Sequence, residues 1–94
     1  MITVNVHYHN TLRRATGAAE EAVTLPDGSL LRDVLEYLQN HHEPALREML
    51  FAPDGSIAPH LVIFRNRRLV PPAQRPLTLA DGDDLMLFPA IAGG

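Results

Sequence analysis

The opening segment, residues 2–8, alternates between apolar and polar side chains with a period of two. The apolar positions are Ile2, Val4, Val6 and Tyr8, and the polar ones are Thr3, Asn5 and His7. This alternation predicts a β-strand with one buried face and one solvent-facing side. His7 and His9 project from the polar face, but a zinc site needs three or four ligands and no third one is close in sequence. We therefore predict no metal site.

A second strand and a long helix follow. Residues 10–21 form a polar connection, and residues 22–25 form a short strand that should pair antiparallel with the first one. The break at 26–28 is followed by Ser29, a favourable N-cap residue for a helix. Apolar residues then recur at helical spacing, which predicts an amphipathic helix that ends near His42, before Pro44. These residues are Leu30, Leu31, Val34, Leu35 and Leu38.

The second half of the chain reads as strands joined by turns. Residues 45–51 suggest a short helical segment, and the apolar run 61–64 suggests a strand covered on both faces or near the middle of the sheet. A turn at 66–67 leads to a short return strand at 69–70, and a tight turn at 81–83 leads to a final strand at 84–88. This order predicts an α+β fold: a mixed sheet of four to five strands with one main crossover helix.

Composition narrows the possible functions. Ninety-four residues make one domain, and 46% apolar with 20% charged residues is typical of a globular chain. A formal net charge of −3 argues against nucleic acid as a partner. The longest apolar run, 85–92, is too short to span a membrane, and the N-terminal segment lacks the features of a signal peptide, so we expect a cytoplasmic protein.

Catalytic motifs are missing from the sequence. The chain has no cysteine, which excludes disulfides, thiolate metal sites and a catalytic thiol. Neither a dinucleotide-binding nor a Walker-type glycine loop occurs. Arg65, Arg67 and Arg68 cluster around the predicted turn at 66–67, where we favour a solvated loop over a partner contact. The sequence therefore predicts no autonomous active site.

The last seven residues, Phe88-Pro89-Ala90-Ile91-Ala92-Gly93-Gly94, are the most distinctive stretch. Pro89 has no N–H to donate, so the sheet ladder should stop there and the chain should leave extended. Gly93 and Gly94 lack a Cβ atom and are as narrow as a peptide can be. Such a tail can enter a tight tunnel and present its carboxylate to the active site of another enzyme.

The run 79–94 resembles the C-terminus of the MoaD/ThiS sulfur-carrier family. It contains an Asp-Gly-Asp turn at 81–83, an apolar strand, Pro89 and a terminal Gly-Gly. The resemblance implies that residues 1–94 form a single β-grasp, ubiquitin-like domain with a flexible C-terminal tail. It also implies that the chain is not itself an enzyme but a carrier, or the small subunit of a synthase such as molybdopterin synthase.

The family chemistry implied here takes place at Gly94, with Gly93 beside it. A ubiquitin-activating-type enzyme would adenylate the Gly94 carboxylate with ATP and magnesium, so that this chain itself would bind no cofactor. A sulfur donor would then convert the adenylate to a thiocarboxylate. The acceptor would be a sulfur-accepting synthase, either the large subunit of molybdopterin synthase or a cysteine synthase.

Partner contacts are expected on the sheet near the last strand. The resemblance and the apolar character of the positions indicate Phe64, Met86, Phe88, Pro89 and Ile91. Two other functions fit the same sequence. One is a ubiquitin-like modifier that is conjugated through Gly94 to lysines of other proteins, and the other is a β-grasp interaction module whose tail has no role.

Overall fold

The computed structural model describes residues 1–89, so the predictions made for Ile91, Gly93 and Gly94 lie outside the described residues. Five strands, three α-helices and one 3-10 turn make up this part of the chain. They are β1 (Ile2–Tyr8), α1 (Thr11–Thr16), β2 (Glu20–Leu25), α2 (Leu31–His41), α3 (Ala45–Leu50), β3 (Val62–Arg65), β4 (Arg68–Leu69), the 3-10 turn Pro72–Gln74, and β5 (Asp84–Phe88).

The strands form one mixed sheet in the order β2-β1-β5-β3-β4. β1 and β5 run parallel, while the β1–β2, β3–β5 and β3–β4 pairs are antiparallel. The first and last strands of the chain therefore lie side by side in the middle of the sheet. The predicted α+β class, the mixed five-stranded sheet and the main helix between its two halves are confirmed.

The core lies between the sheet and the helices. Val4, Val6 and Tyr8 of β1 are fully buried, as the alternation of this strand predicts. The apolar stripe of α2 covers them with four buried side chains, Leu31, Val34, Leu35 and Leu38. Each such aliphatic side chain contributes about 1.5–3 kcal/mol when it leaves water, so burial on this side holds the sheet together. The opposite side of the sheet stays open.

Two details of the sequence prediction were wrong. The connection 10–21 is not all loop, because α1 forms there, buries Leu12 and ends at Gly17 in the left-handed conformation (φ 72°). Of the two alternatives for the run 61–64, a strand inside the sheet is confirmed, because β3 has β5 and β4 as neighbours. A strand covered on both faces is wrong, since Val62 is 38% exposed while Ile63 is fully buried. The continuous apolar run therefore belongs to an ordinary half-buried strand, whose solvent-facing side chains are also apolar.

The start of α2 also differs from the prediction. Ser29 does not cap the helix, because its hydroxyl donates to the Pro26 carbonyl at 2.7 Å. Leu30 occupies the N-cap position in an extended conformation, and the Asp33 carboxylate accepts a hydrogen bond from the Leu30 N–H at 2.8 Å. The helix is therefore capped by a side chain that reaches back from its first turn. Among residues 1–89, none of the helices has the length and hydropathy needed to cross a bilayer.

The contribution of the Asp33 cap to the free energy of unfolding should be measurable. We expect Asp33→Ala to lower the free energy of unfolding by about 1 kcal/mol, because the Leu30 N–H loses its partner. Urea unfolding at pH 7 measures the change. Glu36→Ala is the matched control, since it removes only an exposed pair with Arg32 on the same helix and should cost about 0.3–0.5 kcal/mol. Equal costs for the two variants would contradict the reassigned cap.

Candidate functional site

The strand that precedes the glycine-rich tail is central in the sheet. β5 pairs with β1 on one side and with β3 on the other. Its ladder ends at Phe88, and the next residue, Pro89, is buried and lacks an N–H. The prediction that the strand ends before Pro89 is confirmed.

A buried carboxylate organises the turn that leads into β5. Asp83 is 4% exposed. Its Oδ2 accepts hydrogen bonds from the Ala80 N–H at 2.8 Å and from Arg65 Nε at 2.9 Å, and its Oδ1 accepts one from Asn66 Nδ2 at 3.0 Å. Burial alone would raise the pKa of Asp83, but these hydrogen bonds and the Arg65 charge outweigh it and hold the pKa below its usual range.

The tight turn between β3 and β4 meets the same carboxylate. Asn66 and Arg67 both have positive φ angles, 49° and 69°, as a two-residue hairpin turn of this hand requires. The Asn66 N–H donates to the Asp84 carbonyl at 2.8 Å, and its Oδ1 accepts from the Asp84 N–H at 2.9 Å. Of the clustered arginines, Arg65 is therefore structural, whereas Arg67 and Arg68 are exposed, as a solvated loop requires.

The open side of the sheet carries a continuous apolar patch. It consists of Val62, Phe64, Leu69, Met86 and Phe88, hereafter the open-face patch. Cross-strand register pairs Val62 with Phe88, Phe64 with Met86, and Phe64 with Leu69. The rings of Phe64 and Phe88 meet edge to face with centroids 5.8 Å apart. Leu69 is 56% exposed, so the patch presents apolar surface to solvent. Exposed apolar clusters of this kind mark interaction sites.

Two histidines border this patch. The ring of His9 stacks on Phe88 with centroids 4.1 Å apart. Burial, together with the charges of Arg13 and His7, lowers the pKa of His9, which keeps the ring neutral at pH 7. His7 instead contacts Glu20 and Asp84, at 3.2 Å and 3.5 Å. Within residues 1–89, no group of three or more potential ligands could hold a metal ion.

A polar cluster on the helix side ties α2 to the edge of the sheet. Tyr8 donates its hydroxyl hydrogen to Glu21, and His42 Nε2 lies 2.7 Å from the same carboxylate. Burial and then the hydrogen bond to Glu21 raise the pKa of Tyr8, so the phenol stays protonated. The cluster is therefore a brace and not a source of a nucleophile. His42, the residue after the last turn of α2, thus reaches across to Glu21 of β2.

Comparison with known proteins identifies the family. The ThiS family model matches residues 6–94. The chain therefore belongs to the ThiS family, whose members include ubiquitin-like sulfur carriers and modifiers. This assignment agrees with the resemblance noted at the C-terminus, and it extends the likeness over nearly the whole chain.

Three relatives illustrate the range of the family. Small archaeal modifier protein 1 from Haloferax volcanii is 30% identical over 83 residues, which cover 88% of this chain and 91% of the relative. Its crystal structure superimposes with a TM-score of 0.84 at 27% identity, covering 98% of this chain and 99% of the other.

The other two relatives are solved structures with different names. A putative molybdopterin converting factor, subunit 1, from Pyrococcus furiosus has a TM-score of 0.76 and 28% identity, covering 97% of this chain and 100% of the other. Mycobacterium tuberculosis CysO has a TM-score of 0.68 and 25% identity, covering 94% and 99%. The β-grasp fold is thereby confirmed.

The structure brings together some of the residues that the sequence singled out. Phe64, Met86 and Phe88 share the open-face patch, and Pro89 follows directly as a buried residue. Ile91, Gly93 and Gly94 lie beyond the described range. Val62 and Leu69 were missed as members of the patch. The spacing Val62–Phe64 is the alternation that could have revealed one of them, but the apolar Ile63 between them obscures it.

The hydrogen bonds of the Asp83 carboxylate predict that the folded state loses stability at acid pH. We expect Asp83→Asn to lower the free energy of unfolding at pH 7 by about 3 kcal/mol. An amide has one acceptor oxygen, so it cannot accept from Asn66 as well as from Ala80 and Arg65, and it leaves the Arg65 charge without its counter-charge. The folded pKa is depressed, so the contribution is complete above the unfolded pKa of about 3.9 and is lost as the pH falls through the lower folded value. Urea unfolding from pH 7 down to pH 2 should show wild type and variant converging.

The control for this prediction is Glu48→Gln, which neutralises an exposed carboxylate on α3. It should change stability by less than about 0.5 kcal/mol at every pH. A constant difference between wild type and Asp83→Asn across the whole range would show that the loss comes from side-chain shape and not from ionisation.

Proposed function

We propose that this chain is a sulfur carrier whose Gly94 carboxylate is activated by a partner enzyme and converted to a thiocarboxylate. The observation that carries the proposal is the position of the open-face patch on β5 and its neighbour, immediately before the Pro89-to-Gly94 segment. A partner that docks on the patch is held close to Pro89, after which the sequence continues to the C-terminal glycines. Membership of the ThiS family supports the same assignment.

The chemistry needs little from the carrier itself. A carboxylate with a pKa near 3.5 is ionised at neutral pH and is a poor acylating group. Attack of one carboxylate oxygen on the α-phosphorus of ATP yields an acyl-adenylate and releases pyrophosphate. Hydrosulfide then adds to the acyl carbon and expels AMP, which leaves one sulfur in place of one oxygen without any net redox change. Magnesium and the charge-stabilising groups would come from the partner.

The docking step would use the open-face patch. Three of its five side chains, Phe64, Met86 and Phe88, are of the aromatic and thioether types that are enriched in the cores of protein interfaces. The edge-to-face pair of Phe64 and Phe88 is already ordered in the free chain, so little side-chain entropy would be lost on binding. The partner is expected to be a ubiquitin-activating-type adenylating enzyme.

Protein modification is the second candidate function. It is favoured by the similarity to a relative named small archaeal modifier protein 1. The first step, adenylation of Gly94, would be the same, but the acyl group would pass to a lysine amine of another protein. Since this chain contains no lysine, an isopeptide adduct could not form on its own side chains, and every lysine-linked product would report a foreign target.

The identity of the sulfur acceptor would show which of two pathways the chain serves. The Pyrococcus furiosus relative is described as a molybdopterin converting factor subunit, and CysO is a second relative of comparable coverage. We propose a synthase as the acceptor, either the large subunit of molybdopterin synthase or a cysteine synthase. Copurification of one or the other with the chain distinguishes these two possibilities.

The tail prediction is tested by intact-mass spectrometry. The chain is incubated with its adenylating enzyme, ATP, magnesium and sulfide. We expect a product in which one oxygen is replaced by sulfur, localised to Gly94 by fragmentation. Gly93→Val and deletion of Gly94 should abolish this product, because a branched side chain cannot follow the narrow path and the shortened tail does not reach.

The two tail variants should retain the wild-type thermal unfolding midpoint, since they leave the core described within residues 1–89 unchanged. Pro53→Ala, in an exposed turn between α3 and β3, serves as a loading control and should be modified normally. Normal sulfur loading of Gly93→Val would contradict the carrier assignment. Adenylate without sulfur uptake would instead favour the modifier function.

The docking surface generates a separate prediction. We expect Leu69→Glu to raise the KM for adenylation by about tenfold with little change in kcat, because a charge in the patch weakens docking but leaves the tail unchanged. Ala22→Glu is the matched control. It adds the same charge to an exposed position on the same face, but on the opposite edge strand, β2.

Phe64→Ala extends this test to a residue within the patch and should also raise KM. Its stability must be measured in parallel, because Phe64 packs on Phe88. If Leu69→Glu and Ala22→Glu give the same KM as wild type, the open-face patch is not the surface that the adenylating enzyme recognises.

A further inference from the structure

A groove of about 370 Å³ opens at the N-terminal end of α2 and shares no lining residue with the open-face patch. Most of its wall is apolar, formed by Leu30, Ile57, Pro59, Pro72 and Pro76. This volume lies at the low end of the range of small-molecule sites, which are typically apolar with a few placed polar groups. The groove plays no part in the function proposed above.

The polar group in this groove is an unusual arginine. Arg75 is only 7% exposed. Its Nη1 donates to the Ala58 carbonyl at 2.7 Å and its Nη2 donates to the Leu61 carbonyl, but its buried Nε has no hydrogen-bond partner within residues 1–89. Arg75 therefore braces the 58–61 segment, although its guanidinium group is not fully satisfied by the described residues.

The charge of Arg75 is also uncompensated. Among residues 1–89, no carboxylate lies within 4.0 Å of its guanidinium group, in contrast to Arg32 and Arg65, which have ion-pair partners. Burial lowers the pKa of Arg75, which is the direction expected for a cation without a counter-charge. A buried charge is costly unless it is paired. An anionic group that binds beside Arg75 would therefore gain more binding free energy than one that binds beside an exposed arginine.

The other polar groups around the groove already have partners. Leu30 is the N-cap of α2, so the N-terminal end of this helix borders the groove, and the Asp33 carboxylate accepts from the Leu30 N–H there. Arg32 lies on the rim, paired with Glu36 and 5.2 Å from the ring centroid of Phe51. The carboxylate of Asp54 is held by the N–H and hydroxyl of Ser56 and does not line the groove.

We propose that this groove binds a small organic acid with an apolar body. Its carboxylate supplies the counter-charge that Arg75 lacks, and its apolar part packs between Ile57 and the three prolines. The proposal does not depend on sulfur transfer, because the tail and the open-face patch are not involved. It would give the domain a ligand-binding site separate from its partner-docking surface.

The test is an NMR titration of the ¹⁵N-labelled full chain with phenylacetate, with neutral phenylacetamide as the matched control. We expect saturable shifts at the amides of Arg32, Ile57 and Arg75, with a Kd of about 1 mM for phenylacetate. Phenylacetamide should bind about tenfold more weakly, because it has the same shape but carries no charge.

Two variants locate the phenylacetate-binding site without replacing Arg75. Pro59→Glu adds a carboxylate at an exposed position on the groove wall and should weaken phenylacetate binding about tenfold. Ala22→Glu adds the same charge far away and should bind as wild type. Equal binding of acid and amide, shifts centred elsewhere, or no saturation at all would each overturn the proposal and leave Arg75 as a brace only.

Discussion

The Asp83 carboxylate is the constraint on which the rest of this structure depends. It joins the turn before β5, the last residue of β3 and the turn between β3 and β4 through three hydrogen bonds from one buried group. The Asp83 carbonyl also accepts from the Asn5 N–H, which ties the turn to β1. Because β5 has partners on both sides, fixing its start fixes the register of the whole sheet. The open-face patch exists only in that register.

Much of this architecture can be predicted from the sequence, because it follows from local patterns. The parts that were not predicted are those that no local pattern specifies. The alternation of β1, the apolar stripe of α2 and the Asp-Gly-Asp turn each report a local preference. Each was placed correctly except for Leu30, which was predicted in the stripe but is the N-cap and is 40% exposed. The cap of α2 was not, since Ser29 and Asp33 are both good capping residues and the choice depends on the path of the chain at Pro26. The helix α1 was missed because it buries only Leu12.

The candidate site illustrates the same limit. Phe64, Met86 and Phe88 were selected from the C-terminal resemblance and their apolar character, and the sheet register brings them together. Val62 and Leu69 join them only through cross-strand pairing, which no local pattern specifies. Asp83 is similar: its partners Arg65 and Asn66 are distant in sequence, and the three residues meet only once β3 and β5 have paired.

Two parts of this domain have separate proposed roles, the open-face patch in docking and the glycine-rich tail in transfer. The open-face patch has no helix over it, although the opposite side of the same sheet buries four leucines and valines of α2. Leaving an apolar face uncovered lowers stability and raises the risk of aggregation unless a partner covers it. The bordering polar groups His7, Glu20 and Asp84 limit the patch to one half of the sheet. On the proposed function, a partner that covers this half of the sheet would contact β5 close to the place where the strand ends, at Phe88 and Pro89.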